Sequence, residues 1–253
     1  MSEILFENSE LKIKDIEGVI FDKDGTLTDS NFYWSEIIKR RASEIIKVLN
    51  IDENYFLYLC NSMGLDLKNN KLFEKGPIAI KSRDEVISEI INSLKLINIH
   101  VEKIFISDIF RKVHETFRND LQNFIKPINS AYKFACQCKK NNLKMALITS
   151  DTEYNAISSI KKIGLLEKFE IVIGGDSKFG NKTNGNSARF ICESFNLPPK
   201  KVIAIGDAPS DYLMSKKAGL NSVILVESGQ VPILKLKNLS KYSVTSLSEV
   251  IIN

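Results

Sequence analysis

The chain has few of the groups that cross-link or metallate small folds. Its 253 residues include four cysteines and two histidines. Cys60, Cys136, Cys138 and Cys192 form no C-x-x-C pair, and His100 and His114 are not spaced with them as zinc ligands. Cys136 and Cys138, two apart on an expected helix, point to different faces. These spacings argue against a zinc module and for reduced, structural thiols in a reducing compartment. No apolar run approaches the ~18 residues of a membrane span, and no charged-then-apolar leader opens the sequence. A soluble, cytoplasmic protein without a membrane partner is expected. Basic residues outnumber acidic ones only 35 to 31. The charges are dispersed, so no nucleic-acid partner is read from them. Internal repeats and low-complexity tracts are absent too. What remains is an ordinary globular composition, 43% hydrophobic, with length for one large domain or a core with an insertion.

Four apolar runs end in polar groups suited to chemistry. The first is Gly18-Val-Ile-Phe-Asp22-Lys-Asp24-Gly-Thr-Leu-Thr28. The run has the length of a buried strand, and Gly25 lets the backbone turn sharply after it. Residues two apart on an extended segment project to the same side. Asp22 and Asp24 are therefore expected together at a strand's carboxyl end, where open α/β sheets place their sites. Two like charges that close repel unless a cation or a reaction uses them.

The second run, Leu143 to Ile148, ends in Thr149-Ser150-Asp151. These residues suit a helix start, and a hydroxyl beside free amides at a helix start also suits a phosphate. The third signal is Lys182, in the Gly/Asn-rich loop Phe179-Gly-Asn-Lys182-Thr-Asn-Gly-Asn-Ser. The fourth run is Val202-Ile-Ala-Ile-Gly206-Asp207-Ala-Pro-Ser-Asp211. It places Asp207 at a strand tip and Asp211 near a helix start, where an acid also favours the helix dipole. Mg²⁺ needs only one or two direct carboxylates plus waters and substrate.

The ordered set Asp22-x-Asp24-Gly-Thr, Thr149, Lys182 and Gly206-Asp207-x-x-x-Asp211 resembles the haloacid dehalogenase superfamily of phosphatases and related phosphotransferases. The resemblance spans about Gly18 to at least Gly219, and its specificity lies in the ordered quartet. It implies a Rossmann-like core and a mechanism. Asp22 would attack phosphorus and form an aspartyl-phosphate. Asp24 would protonate the leaving alcohol, then deprotonate the hydrolytic water. Thr149, Ser150 and Lys182 would hold phosphoryl oxygens. Mg²⁺ would be held by the Asp22 carboxylate, the Asp24 main-chain carbonyl and Asp207, with Asp211 as a further ligand. The dehalogenases themselves lack the second acid because halide leaves unprotonated, so Asp24 argues for phosphoester chemistry. The expected activity is hydrolysis of a small phosphorylated metabolite. Alternatives are a phosphomutase with the same motifs, or a silent binding domain, against which the intact acids and lysine argue.

The alternation of strands and helices after Pro127 indicates a doubly wound parallel sheet. Helices are expected at about Ile128–Asn141, Glu153–Ile163, Asn186–Phe195 and up to Gly219. A strand is expected at Ser222–Val226, with Tyr242–Val244 as a short edge strand. Residues 1–28 and 127–253 form the expected core. From 29 to 126 helical periodicity dominates, at about Ser35–Leu49, Glu53–Ser62, Arg83–Ile97 and Glu102–Phe124. Ser82-x-x-Glu85 reads as a capping box. This block reads as an inserted all-helical cap domain, which in the resembled superfamily acts as a lid. Trp34 and Lys75-Gly-Pro-Ile-Ala-Ile-Lys-Ser82 are similar to phosphoglycolate-phosphatase-like proteins. Trp34 also suits plain packing. Arg40, Arg41, Lys81 and Arg83 could meet a second anionic group on the substrate, or be solvated helix charges. Ile4–Phe6 and Leu11–Ile13, flanking Asn8-Ser9, are expected to form a hairpin without chemistry.

Overall fold

The computed structural model describes residues 2–7, 9–80 and 83–253, so Asn8, Lys81 and the Ser82 end of the expected capping box lie outside it. The described chain divides into two compact units, residues 1–29 with 126–253, and residues 30–125.

Strands β1 (Ser2–Phe6) and β2 (Lys12–Ile16) form the expected hairpin, and β3 (Gly18–Phe21) follows at once. All four residues of β3 are buried, as befits a strand covered on both faces of a parallel sheet.

The inserted unit starts with α1 (Ser30–Leu49), which begins five residues before the expected Ser35. Its first turns carry Phe32, Tyr33 and Trp34, which are weak helix formers. Packing overrides that preference: Phe32 stacks on Phe124 and Tyr33 meets Phe117 edge-on at 5.5 Å. Then come α2 (Tyr55–Ser62), β4 (Leu65–Asp66), β5 (Lys71–Leu72), α3 (Pro77–Ile80), α4 (Arg83–Leu96) and α5 (Lys103–Phe124). The expected helical block thus gains a two-residue antiparallel ladder, β4 with β5. Its turn is held by Asp66, which accepts from the Asn69 amide and side chain, and by Asn70 in the left-handed region at φ 50°. Two-residue strands leave no alternation for a pattern reading to find. Ile38, Ala42 and Ile45 of α1 pack with Leu59, Ile87, Ile90, Ile106 and Phe110 in a core of this unit's own. Each fully buried aliphatic side chain contributes roughly 1.5–3 kcal/mol.

The first unit resumes with α6 (Asn129–Lys140), β6 (Lys144–Ile148), α7 (Glu153–Lys162) and β7 (Ile171–Ile173). After it come α8 (Asn186–Phe195), β8 (Val202–Gly206), α9 (Pro209–Ala218) and β9 (Ser222–Val226). The short elements α10 (Ile233–Lys237), β10 (Ser243–Val244) and β11 (Val250–Ile252) complete it. Six strands form one sheet in the order β10-β9-β8-β3-β6-β7, every pair parallel. The chain builds outward from β3 through β6 to β7, then restarts on the other side with β8. The switch point lies between β3 and β8, where open sheets of this type bind ligands at their carboxyl ends. Register sets Phe21 opposite both Leu147 and Ile205, so these three strands end level. A second sheet, β11-β1-β2, is antiparallel, and its β11 is an element absent from the sequence reading.

No described helix is long and apolar enough to cross a membrane. All four cysteines are free, and Cys60, Cys138 and Cys192 are buried.

Candidate active site

Asp22 is the first residue beyond β3, and its amide donates to the Ile205 carbonyl of β8 at 2.8 Å. That bond pins Asp22 to the neighbouring strand. Its side chain is buried and accepts from the Lys182 Nζ at 2.5 Å. Lys182 is itself buried and lies 2.6 Å from Asp211 Oδ1. One ammonium is thus shared by two carboxylates from different strand ends. Burial alone would depress this lysine, but Asp211 and Asp22 more than offset it and hold it above the ordinary lysine range.

The loop around Lys182 explains how one lysine of many reaches this place. Residues Lys182–Asn184 form a single helical turn, opened by Asn181, whose side chain accepts from the Thr183 amide at 3.0 Å. Asn184 donates back to the Phe179 carbonyl at 2.8 Å. Gly/Asn richness therefore serves local side-chain-to-backbone bonding.

Asp207 follows β8 directly and is buried. Oxygens of Asp22, Asp207 and Asp211 all lie within 4.8 Å of one another. Burial, then the charges of Asp22 and Asp211, push the Asp207 carboxyl well above the ordinary range. Burial also raises Asp22, against the opposing pull of Lys182. Thr26 Oγ1 reaches Asp207 Oδ1 at 3.4 Å. Asp211 serves two ends at once. Its Oδ2 accepts from the Ala208 amide at 3.1 Å, capping α9, while Oδ1 is sealed from solvent and faces the Lys182 ammonium.

Asp24 is partly exposed and turns to a different cation. Lys23 Nζ lies 2.9 Å from both Asp24 Oδ2 and Asp151 Oδ2. Thr28 Oγ1 donates to Asp24 Oδ1 at 3.2 Å. Burial raises the Asp24 carboxyl above its ordinary value, and Lys23 partly offsets that rise.

The structure brings Asp22, Lys182, Asp207 and Asp211 into one contact set. Thr149 and Ser150 stand at the tip of β6, the other neighbour of β3. Thr149 is buried and its hydroxyl accepts from the Asp151 amide at 3.1 Å, whereas Ser150 is exposed. Among the described residues neither has a hydrogen bond to the cluster.

Three participants escape a sequence reading. Lys23, between the two acids, is buried and links Asp24 to Asp151 across the β3–β6 pair. A lysine at a buried strand tip is its one local signal. Ser228 donates to the Gly25 carbonyl at 2.6 Å, and a Cβ placed on Gly229 would collide with the Asp207 carboxylate. The loop after β9 thus packs against the site, and no spacing announces it. Gly25, at φ 83°, makes the turn that the sequence implies, and a Cβ there would stand 2.5 Å from Asp207 Oδ2.

A parallel sheet switching direction at β3 and β8, with acid at both tips and lysine between, defines a site for anion chemistry assisted by cations. The chain belongs to the haloacid dehalogenase-like hydrolase family, whose model it matches over residues 16–219. It is 23% identical over 234 residues to the phosphorylated carbohydrates phosphatase of Thermotoga maritima, covering 87% of this chain and 94% of that one. It is 21% identical over 213 residues to a phosphoglycolate phosphatase of Colwellia psychrerythraea, covering 84% and 85%. Its fold is similar to a provisionally assigned β-phosphoglucomutase from Thermotoga maritima, with TM-score 0.67, 20% identity, and 92% and 96% coverage. It is also similar to a family hydrolase from Deinococcus radiodurans solved with bound phosphate and sodium, with TM-score 0.67, 16% identity and 93% coverage of each chain.

Proposed function

We propose that this hydrolase is a Mg²⁺-dependent phosphatase acting on a small phosphorylated metabolite of the phosphoglycolate or sugar-phosphate type. The observation that carries the reading is the buried Asp22–Lys182–Asp211 set with Asp207 beside it. Relatives that act on phosphorylated carbohydrates and phosphoglycolate support the substrate class.

The donor set fits a hard divalent cation, which favours carboxylate and carbonyl oxygens. Three crowded carboxylates against one ammonium leave negative charge that a cation would neutralise. Asp22, Asp207 and the Asp24 carbonyl would hold it, with Asp211 beside them. When bound it would offset repulsion between an anionic nucleophile and phosphate.

In this reading Asp22 attacks phosphorus, forming the Asp22–phosphorus bond as the bond to the leaving oxygen breaks. Asp24 gives its proton to that oxygen, so an alcohol departs. A carboxyl raised by burial can carry this proton nearer neutral pH. Asp24 then takes a proton from water, which attacks the aspartyl-phosphate and releases inorganic phosphate. Lys182 follows a phosphoryl oxygen as a mobile point charge, and Thr149 adds a hydrogen bond.

The test is phosphate release from a panel of phosphorylated metabolites and an aryl phosphate with Mg²⁺, beside Asp22→Asn. Equal rates for both proteins would sink the proposal. The fold likeness to a β-phosphoglucomutase favours a second reading, return of the phosphoryl group to a bound sugar. Isomer formation from hexose phosphates exceeding phosphate release would select it.

A further inference from the structure

Lys23 separates the two acids of the first motif, and its side chain is only 5% exposed. A buried strand tip ordinarily takes an apolar side chain, because a cation leaves water at a cost that pairing must offset. Lys23 is paired twice. Its Nζ lies 2.9 Å from Asp24 Oδ2 and 2.9 Å from Asp151 Oδ2. Both carboxylates keep a face to solvent, at 31% and 27% exposure, so neither depends on this lysine for its solvation. What the ammonium decides is where they sit.

The two partners differ in how firmly they are held. Asp151 stands at the start of α7, where its Oδ1 accepts from the Thr152 amide at 2.8 Å and from the Asn155 side chain at 2.9 Å. Its own amide donates to the Thr149 hydroxyl at 3.1 Å. Asp24 has fewer contacts. Its Oδ1 accepts from the Thr28 hydroxyl at 3.2 Å, and that hydroxyl also reaches the Lys23 carbonyl at 3.2 Å. The same carbonyl accepts from the Leu27 and Thr28 amides at 2.8 and 3.0 Å, which fixes the Lys23 backbone in the turn. Asp24 and Asp151 are like charges and repel. Without the ammonium between them Asp24, the less anchored of the two, would turn toward solvent.

An acid–base group works only within reach of the proton it moves. A displacement of about 1 Å in a reacting geometry can cost on the order of 100-fold. We propose that Lys23 is a positioning residue: it ties the Asp24 carboxylate to the firmly held Asp151, and so keeps Asp24 directed at the leaving oxygen. This role rests on the phosphatase reading, in which Asp24 protonates the departing alcohol.

The test is kcat/KM for phenyl phosphate and for dinitrophenyl phosphate with Mg²⁺, which reports phosphoryl transfer to Asp22 ahead of hydrolysis. Phenolate needs a proton to leave well, whereas dinitrophenolate does not. Lys23→Met should lower the value for the phenyl ester by roughly 10- to 100-fold. For the dinitrophenyl ester the loss should stay under about 3-fold. Asp24→Asn should show the same selectivity more strongly, and adding Lys23→Met to it should change the ratio no further. Lys23→Arg should recover part of the loss, because it keeps a cation between the two acids. Asp151→Asn keeps the lysine but loosens its anchor, so it should shift the ratio in the same direction by less. Should Lys23→Met fail to fold, Asp151→Asn decides, and an unshifted ratio there counts against the role. A Lys23→Met protein that keeps the wild-type ratio, or shifts it as much again in the Asp24→Asn background, overturns the proposal while Asp22-dependent turnover stands. If wild type releases no more phosphate than Asp22→Asn, the phosphatase reading falls first and this role with it.

Discussion

The sheet-bearing unit buries an ammonium, Lys182, among the carboxylates of Asp22, Asp207 and Asp211. The inserted unit buries a guanidinium, Arg41, and sets no described carboxylate against it. Both arrangements keep charge away from water, and they are unbalanced in opposite senses. The first has more anion than cation, and the second has cation alone. A buried charge is held at low cost only when paired. The first imbalance suits the cation and phosphoryl group proposed above, whereas the second is a guanidinium laid against the Phe110 ring.

Changing the charge count in the first unit gives the sharpest contrast. Asp22→Asn should lower phosphate release by on the order of 10⁴-fold or more, as expected for loss of a nucleophile. The same variant removes one of three crowded anions, so its thermal midpoint in chelator should equal or exceed wild type. A loss of activity accompanied by a lower midpoint would instead point to misfolding. Lys182→Met works in the other direction. It should cost about 100-fold in kcat, as for a deleted oxyanion donor. It should also destabilise the metal-free protein by roughly 3–5 kcal/mol, because it strands buried carboxylates. Denaturant titration in chelator would read that loss, and added Mg²⁺ should restore part of it.

Gly229→Ala tests the crowding around Asp207 without touching any charge. A methyl directed at that carboxylate should weaken Mg²⁺ binding by about 10-fold, the low end for disturbed ligand orientation. Titration calorimetry would measure it. The mildest effect concerns acid. Asp207 has a raised pKa in the folded protein, so below that value the folded state holds a proton that the unfolded state has released. Stability of the metal-free protein should therefore increase as pH falls through the raised Asp207 pKa, and fade as pH rises through it. Asp207→Asn should flatten that slope, as read from thermal midpoints in chelator. Mg²⁺ affinity should run the opposite way, falling with pH as the ligands take up protons.

Much of the sheet-bearing unit is legible in sequence because its information is local. Short apolar runs ending in Asp22, Thr149 and Asp207 announce strand tips, and Gly164 and Gly219 mark helix ends. What escapes is pairing between distant segments. Lys23 acquires meaning only beside Asp151, and Gly229 only beside Asp207. β11 is three residues long and exists because it zips onto β1, Ile4 opposite Ile252. Asp22 and Asp24 share a motif, yet each carboxylate pairs with its own lysine. The spacing of the motif cannot show this, because Lys182 arrives from another loop. In the inserted unit the helical periods are clear, but α1 starts early through aromatic packing with α5, a contact that propensity does not encode.

The central strand β3 is made near the start of the chain, but its neighbours come late, with Gly18 opposite Lys144 and Val202. During synthesis the intervening unit, with a core of its own, can form first. Until β6 and β8 leave the ribosome, Val19, Ile20 and Phe21 remain an unpaired apolar edge open to self-association. A chain cut short after the insertion should therefore aggregate through that strand while its helical part stays folded.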